Sequence, residues 1–424
     1  MRYPEVDVER HPTPGGVDRR LRSTAAGLTS LLALAAITLA AGPAVAASAA
    51  GPCALPRTGA HHSLGLDSWN DAYARPDKPL DAVMIFLSFP DSEPQSTPQD
   101  IAGDYFPSTS RFFERASYGK FTLRPHPLKQ WIQMPESATS YDIQRDWDPD
   151  RRTAYLRDAV AAADPSVDFG KYDIVYLVAD PDAPGVNADA TKVVNFDTPM
   201  RADGHDLKRL VTVFEQHPPD RNVLAHETGH VFDLADLYHR PTDGNGDWDT
   251  YVGDWDVMGS QFGLAPDFFG WHKWKLGWLE PRQVACVQRG GGGRLTLDSL
   301  EAAPTRGAGA GAGATRLAVV RTGDDSAIAI EARSATGNDR STCTEGVLLY
   351  RVHSGTESGG GPVEVIDTHP GTGACWDQSV YPALADAPMQ VGETFTVPGD
   401  GTKVQVTDRT PSGAWTVRVS PGKL

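Results

Sequence analysis

Apolar residues along this chain change their spacing twice, and each change marks a different kind of segment. After a short apolar run from about Leu28 to Ala41, residues 47 to about 78 are rich in Ala, Pro and His and lack periodicity. They read as a linker or a short pro-segment. "DAVMIFLSFPD" (81–91) is an unbroken apolar run stopped by Pro-Asp, and "YDIVYLVADPD" (172–182) is another; both predict buried strands. Between them, "DYFPSTSRFFERASYGKFTL" predicts a helix followed by a strand, and "RRTAYLRDAVAAAD" has helical spacing. Alternating strands and helices of this kind predict an α/β region. The pattern changes after "LGWLEP". Two Gly-rich tracts, "RGGGGR" (289–294) and "RGAGAGAGAT" (306–315), accompany a series of short β-type segments: "TRLAVVRT", "SAIAIEAR", "GVLLYRV", "VEVID", "ETFTV", "KVQVT" and "AWTVRV". Turn residues separate them, as in a β-sandwich or barrel. The expected organisation is an α/β (α+β) domain over 79–284 and a β-rich, sandwich-like domain over 285–424.

The first apolar run is too short to span a bilayer. It follows Arg19, Arg20 and Arg22 and precedes small residues, Ala44-Val45-Ala46 or Ala47-Ser48-Ala49. A basic start, a short apolar middle and a small-residue end predict a cleaved signal peptide over about 1–46, hence export as a soluble protein with no membrane contact after cleavage. Four cysteines, Cys53, Cys286, Cys343 and Cys375, are compatible with two disulfides in an exported chain. Cys343–Cys375 and Cys53–Cys286 is the preferred pairing. No Cys-x-x-Cys occurs. The formal charge of −16 argues against nucleic acid or an anionic membrane as partner, because both need a basic footprint.

Chemistry concentrates in "AHETGHVFDLADLYH" (225–239). His226 and His230 are four apart, so on a helix both imidazoles point to one side and can share an ion. Glu227 sits where it can reach a water on that ion and act as general base. A catalytic zinc wants a third protein ligand and an open position. The first glutamate after His230 is Glu280 in "GWLEP", with no second-helix pattern around it, so a ligand from a later helix is not indicated. The layout His-Glu-x-x-His-x-x-Gly-x-x-His puts the third ligand at its eleventh position, here Asp236, and a carboxylate is a legitimate zinc ligand. His239 is the rival. The eighth position holds Asp233 in place of glycine; aspartate is among the few residues that visit the left-handed region the turn requires. The same layout calls for a methionine-containing turn, which "GDWDVMGSQFG" supplies at Met258. The alternative is a surface helix with solvent-facing histidines.

Two neighbouring patterns are informative. Asp243, Asn245, Asp247 and Asp249 alternate, with Asp254 further on, an arrangement that suits a structural calcium loop or a solvated acidic turn. Trp271, Trp274 and Trp278 in "WHKWKLGW" have the spacing of packing residues, with a sugar platform as the alternative.

These segments resemble the M6 family of metallopeptidases, the immune inhibitor A-like secreted bacterial zinc proteases of metzincin type. The likeness runs from "VMIFLSFPDSEP" through "RFFERASYGKFTL" and "NVLAHETGHVFDLADLYH" to "GDWDVMGSQFG", "PDFFGWHKWKLGWLEP" and "AIAIEARSATGNDRSTCTEGVLLYRVHSG", from about residue 80 to about 370. It implies a zincin-like catalytic domain with one catalytic Zn2+ held by His226, His230 and Asp236, with Glu227 as base. The expected activity is a secreted zinc endopeptidase acting on protein or peptide substrates, as a monomer. The alternatives are an inactive exported binding or adhesion module on the same scaffold, and a zinc hydrolase of a non-peptide amide or ester. Tyr251 and His239 are candidates for stabilising the oxyanion.

Overall fold

The computed structural model describes residues 51–241, 245–288, 291–302 and 315–422. The expected signal peptide, Asp243 and much of the two Gly-rich tracts lie outside the described residues. Among those described, helices and strands mix in the first half and strands dominate the second.

The first sheet has the order β2-β1-β3-β5-β4, formed by β1 (Leu80–Ser88), β2 (Leu123–Gln133), β3 (Ile174–Ala179), β4 (Lys192–Ala202) and β5 (His205–Val213). β2, β1, β3 and β5 pair in parallel, and β4 runs antiparallel to β5 along one edge. Residues 82–87 of β1 and all of β3 form unbroken buried, largely apolar runs because both sheet faces are covered. Ala82, Met84 and Phe86 enter one core, while Val83, Ile85 and Leu87 enter another. Helices α1 (Pro98–Tyr105) and α2 (Ser108–Ala116) contribute Ile101, Tyr105, Phe112 and Phe113 to the first core. Helix α3 (Pro149–Ala163) covers the opposite face with Tyr155, Leu156 and Ala159. The β4–β5 hairpin turns at Asp203-Gly204, both at positive φ (51° and 78°), as two-residue hairpins prefer.

From Val284 onward the strands form two further sheets. One has the order β11-β10-β9-β8-β6 and the other β12-β13-β14-β7. They comprise β6 (Val284–Cys286), β7 (Gly293–Leu297), β8 (Leu317–Arg321), β9 (Ser326–Arg333), β10 (Gly346–His353), β11 (Val363–Val365), β12 (Thr394–Thr396), β13 (Lys403–Arg409) and β14 (Trp415–Ser420). Alternate residues of β8–β10, including Val320, Ile328, Ile330 and Leu349, pack against Val404, Val406, Trp415 and Val417 of the other sheet, as in a two-sheet sandwich. The opposite residues, among them Leu317, Val319, Ala329 and Leu348, join the same core as β1 and the histidine-bearing helix. The α/β and β-rich parts therefore share buried surface. Trp271, Trp274 and Trp278 lie in that shared core and are buried, the packing role expected of their spacing.

The stretch before β1, expected to be a linker or short pro-segment, is built into this body. Cys53, Ala54, Leu55 and Leu64 are core residues, and Cys53 is joined to Cys286 on β6. Cys343 pairs with Cys375, so the described cysteines are paired as the preferred scheme had them. Burial of apolar side chains at a spacing too irregular to register as an element explains why the stretch reads as a linker. No described helix is long and apolar enough to cross a membrane.

Candidate functional site

Helix α4 (Val223–Val231) carries the two histidines. Almost every residue of it is buried, so its polar side chains face an enclosed site and not bulk water. It is tied to β3 by a 2.8 Å contact between the Tyr176 and Thr228 hydroxyls. Its end is a Schellman turn, in which the Asp233 N–H donates to the His230 carbonyl (3.1 Å) and the Leu234 N–H to that of Gly229 (3.2 Å). Asp233 occupies the left-handed position at φ 63°. The turn then points the Leu234 carbonyl back at His230, whose Nδ1 donates to it at 2.8 Å.

His226 is fixed in the same way by the Val257 carbonyl, which accepts from its Nδ1 at 2.8 Å. A carbonyl can only accept, so in the neutral rings both Nδ1 atoms carry hydrogen and both Nε2 atoms present lone pairs. Those Nε2 atoms converge on Asp236 Oδ1, at 3.3 Å from His226 and 3.0 Å from His230. One potential ligand atom from each of the three residues lies within 4.8 Å of the others, the one such cluster among the described residues. Asp236 Oδ1 is buried, with these two ring nitrogens as its close polar neighbours. Burial disfavours a charged His230 ring, but the Asp236 charge and contact outweigh it and push that histidine up to about 9. The same contest holds Asp236 well below the usual carboxylate range. Two imidazole nitrogens and a carboxylate oxygen converging on one place form a donor set for a cation. His226, His230 and Asp236 could hold one.

Met258 lies under this helix, fully buried. Its carbonyl accepts from the Leu237 N–H at 2.9 Å, immediately after Asp236. A Cβ on Gly229 would stand 2.3 Å from Met258 Sδ, so any larger residue inside His-Glu-Thr-Gly-His requires the buried methionine side chain to move. The turn carrying Met258 is locked by Asp256, whose carboxylate accepts from the Met258 N–H (2.8 Å), the Phe269 N–H (2.7 Å) and His272 Nδ1 (2.9 Å).

Glu227 is buried beside the cluster, and its Oε2 has no hydrogen-bond partner. Burial raises its affinity for a proton above that of an ordinary glutamate, only partly countered by the two histidines. It lines a cavity of about 280 Å³ together with His226, His230, Asp236, Tyr238, Ser358, Thr191 and, on edge strand β4, Lys192, Val193 and Asn195. A larger cleft of about 1080 Å³ lies between α2 and the C-terminal strands. In it Glu345 pairs with Arg409 (2.9 Å) and Glu301 accepts from the Ser334 N–H (3.0 Å). The two histidines, Asp236 and Glu227 line the smaller cavity.

Asp233, the departure from glycine, supports the turn through its carboxylate. Fully buried, it receives Arg57 (2.7 Å), His62 (3.0 Å) and Lys275 (3.3 Å). Burial alone would raise its pKa; the bond from His62 and the charges of Lys275 and Arg57 reverse this and hold it far below the usual range. His62 is buried and stacks on His230 at 5.7 Å between ring centroids. His61 is exposed and bonded to Tyr73 at 3.2 Å.

Other expected residues stand outside the cavity. His239, the rival ligand, packs its ring on Tyr251 at 5.1 Å and is not in the ligand cluster. In the acidic loop, Asp247 accepts from the Asp249 N–H (3.0 Å), and burial together with the Asp247 charge pushes Asp249 up to about 6. Asp254 is engaged with Leu264 N–H, Val380 N–H and Ser379 Oγ. Tyr238, which spacing did not single out, stands in the cavity with its ring nearly parallel to that of His226, and burial keeps its phenol protonated. The Asp-Gly pair at 203–204 was the available signal for the hairpin that brings β4 to the site.

No family model matches the sequence, and none of the curated proteins matches it.

Proposed function

We propose that this protein is an exported, zinc-dependent endopeptidase of metzincin type, akin to the M6 metallopeptidases it resembles in sequence. The observation that carries this reading is the convergence of His226 Nε2, His230 Nε2 and Asp236 Oδ1 beside a buried glutamate oxygen without a partner. Two imidazoles and one carboxylate form a donor set suited to zinc, with room for substrate in the adjoining cavity. When bound, the ion supplies Lewis acidity, which acidifies water and polarises a carbonyl.

The chain's own residues would supply the rest. Glu227, made more basic by burial, takes a proton from the attacking water and passes it to the leaving nitrogen. Tyr238, a protonated phenol in the same cavity, donates to the developing oxyanion. Edge strand β4 offers an extended peptide a backbone partner along the cavity wall. That favours a peptide over a small amide or ester. The unpartnered Glu227 oxygen has no structural use, which counts against a lapsed enzyme kept as a binding module. Two disulfides suit an extracellular setting.

The test is metal content by mass spectrometry on purified mature protein, with casein hydrolysis measured beside Glu227→Ala. The expected result is about one zinc per chain in both proteins, with hydrolysis reduced at least about 100-fold in the variant. Absence of zinc from the wild-type protein would sink the proposal. So would full hydrolysis by the variant.

A further inference from the structure

The ligand Asp236 is gripped by a segment more than a hundred residues away. The loop between β10 and β11 places Ser358 against it. Ser358 Oγ accepts from the Asp236 backbone N–H at 2.8 Å and donates to Asp236 Oδ2 at 2.8 Å. The next residue continues the grip, with the Gly359 N–H donating to the Asp236 carbonyl and the Arg240 N–H to the Gly359 carbonyl, both at 3.1 Å. Both polar groups of the Asp236 main chain, and one of its two carboxylate oxygens, are therefore held by the β-rich part. The other oxygen, Oδ1, faces the two histidines.

The loop is itself fixed. Its Ser354 carbonyl accepts from Thr58 Oγ1 (2.8 Å) and Ser63 Oγ (2.7 Å), and the Glu357 carboxylate accepts from the His61 N–H (2.9 Å). The Val365 N–H, just beyond, donates to the Tyr251 carbonyl (2.8 Å). A hydroxyl is suited to this position because one atom both donates and accepts. It can satisfy the amide of Asp236 and orient that residue's carboxylate at once.

We propose that Ser358 is a positioning residue of the metal centre: it occupies Asp236 Oδ2, leaving Oδ1 as the ion-facing oxygen, so that the β-rich part completes the site. The inference rests on His226, His230 and Asp236 holding a divalent ion. Partners that orient a metal's ligands are worth about 10–100-fold in affinity, and that is the effect expected here.

The experiment uses full-length mature protein stripped with a chelator. Zn2+ affinity is measured by chelator competition, and the visible spectrum of the Co2+-loaded form is recorded. Wild type, Ser358→Ala, Ser358→Thr, Ser358→Cys and His226→Ala are compared, with the thermal midpoint of each metal-free form. Ser358→Ala should bind Zn2+ about 10–100-fold more weakly, with an altered Co2+ spectrum and a metal-free midpoint near wild type. Ser358→Thr, which keeps the hydroxyl, should hold both affinity and spectrum. If Ser358→Ala fails to fold, Ser358→Cys, of similar size but a poor donor, should show the loss that Ser358→Thr does not.

Wild-type affinity and spectrum in Ser358→Ala or Ser358→Cys overturns the proposal while leaving the metal site intact. A lowered metal-free midpoint with unchanged affinity assigns Ser358 to loop structure only, and overturns it too. If wild type binds Zn2+ no better than His226→Ala, the metal reading itself fails and this inference goes with it.

Discussion

Replacing Asp233 by glycine would restore the residue that favours its left-handed backbone, yet the protein should lose stability. A non-glycine residue at positive φ costs about 1–2 kcal/mol, less for aspartate than for most, so glycine recovers at most about that much. Against it stands the carboxylate, fully buried and in contact with Arg57, Lys275 and His62. Removing one partner of a buried ion pair typically costs about 3–5 kcal/mol, because the other charge is left uncompensated. Arg57 keeps some exposure (19%), which places the loss toward the lower end. The net expectation is a destabilisation of about 2 kcal/mol.

The assay is the guanidinium midpoint of metal-free wild type, Asp233→Gly and Asp233→Asn. Asparagine keeps the shape and the tolerance for positive φ but drops the charge, so it should also be destabilised. The pH dependence gives a second readout. Asp233 is held far below its ordinary range in the folded protein, so its contribution is present above about pH 4 and is lost as the pH falls below that. The acid limb of stability should therefore be shallower in Asp233→Asn. A glycine variant as stable as wild type, or more so, would refute the reasoning: relief of backbone strain would then outweigh the loss of the buried charge pairs.

Gly229→Ala should lose about 1–3 kcal/mol by overpacking, because its Cβ would stand 2.3 Å from Met258 Sδ; an unchanged thermal midpoint would contradict that contact. Tyr238→Phe should lower kcat by about 100-fold with little change in KM if the phenol meets the oxyanion, whereas an unchanged kcat would exclude that role. Cys53→Ser, which opens a loop of 233 residues, should cost about 2–5 kcal/mol. Calorimetry checks it: the variant should melt below wild type without reductant, and with reductant, which also opens Cys343–Cys375 in both, the two should melt together.

The sequence by itself determined whatever depends on local spacing. The apolar runs at 81–91 and 172–182 became β1 and β3 because strands covered on both faces need continuous apolar residues. His226 and His230 share a side because a helical turn brings residues four apart together. The short β-type segments beyond residue 315 coincide with strands; alternate residues of β8–β10 face two different cores, while β13 and β14 turn one face to a single core.

Only the tertiary structure decided what depends on residues distant in the chain. The partners of Asp233 come from Arg57, His62 and Lys275, and the hydrogen bonds that aim Asp236 come from Ser358. The carbonyls that fix the two imidazoles belong to Val257 and Leu234, and main-chain groups carry no side-chain signature to read. Tyr238 stood in plain sight, two residues beyond Asp236, but which of several nearby aromatics enters the cavity depends on how the chain turns after the helix. Periodicity reports only which side of an element is buried. The charge pairs and hydrogen bonds that complete a site are set when separate elements close around it.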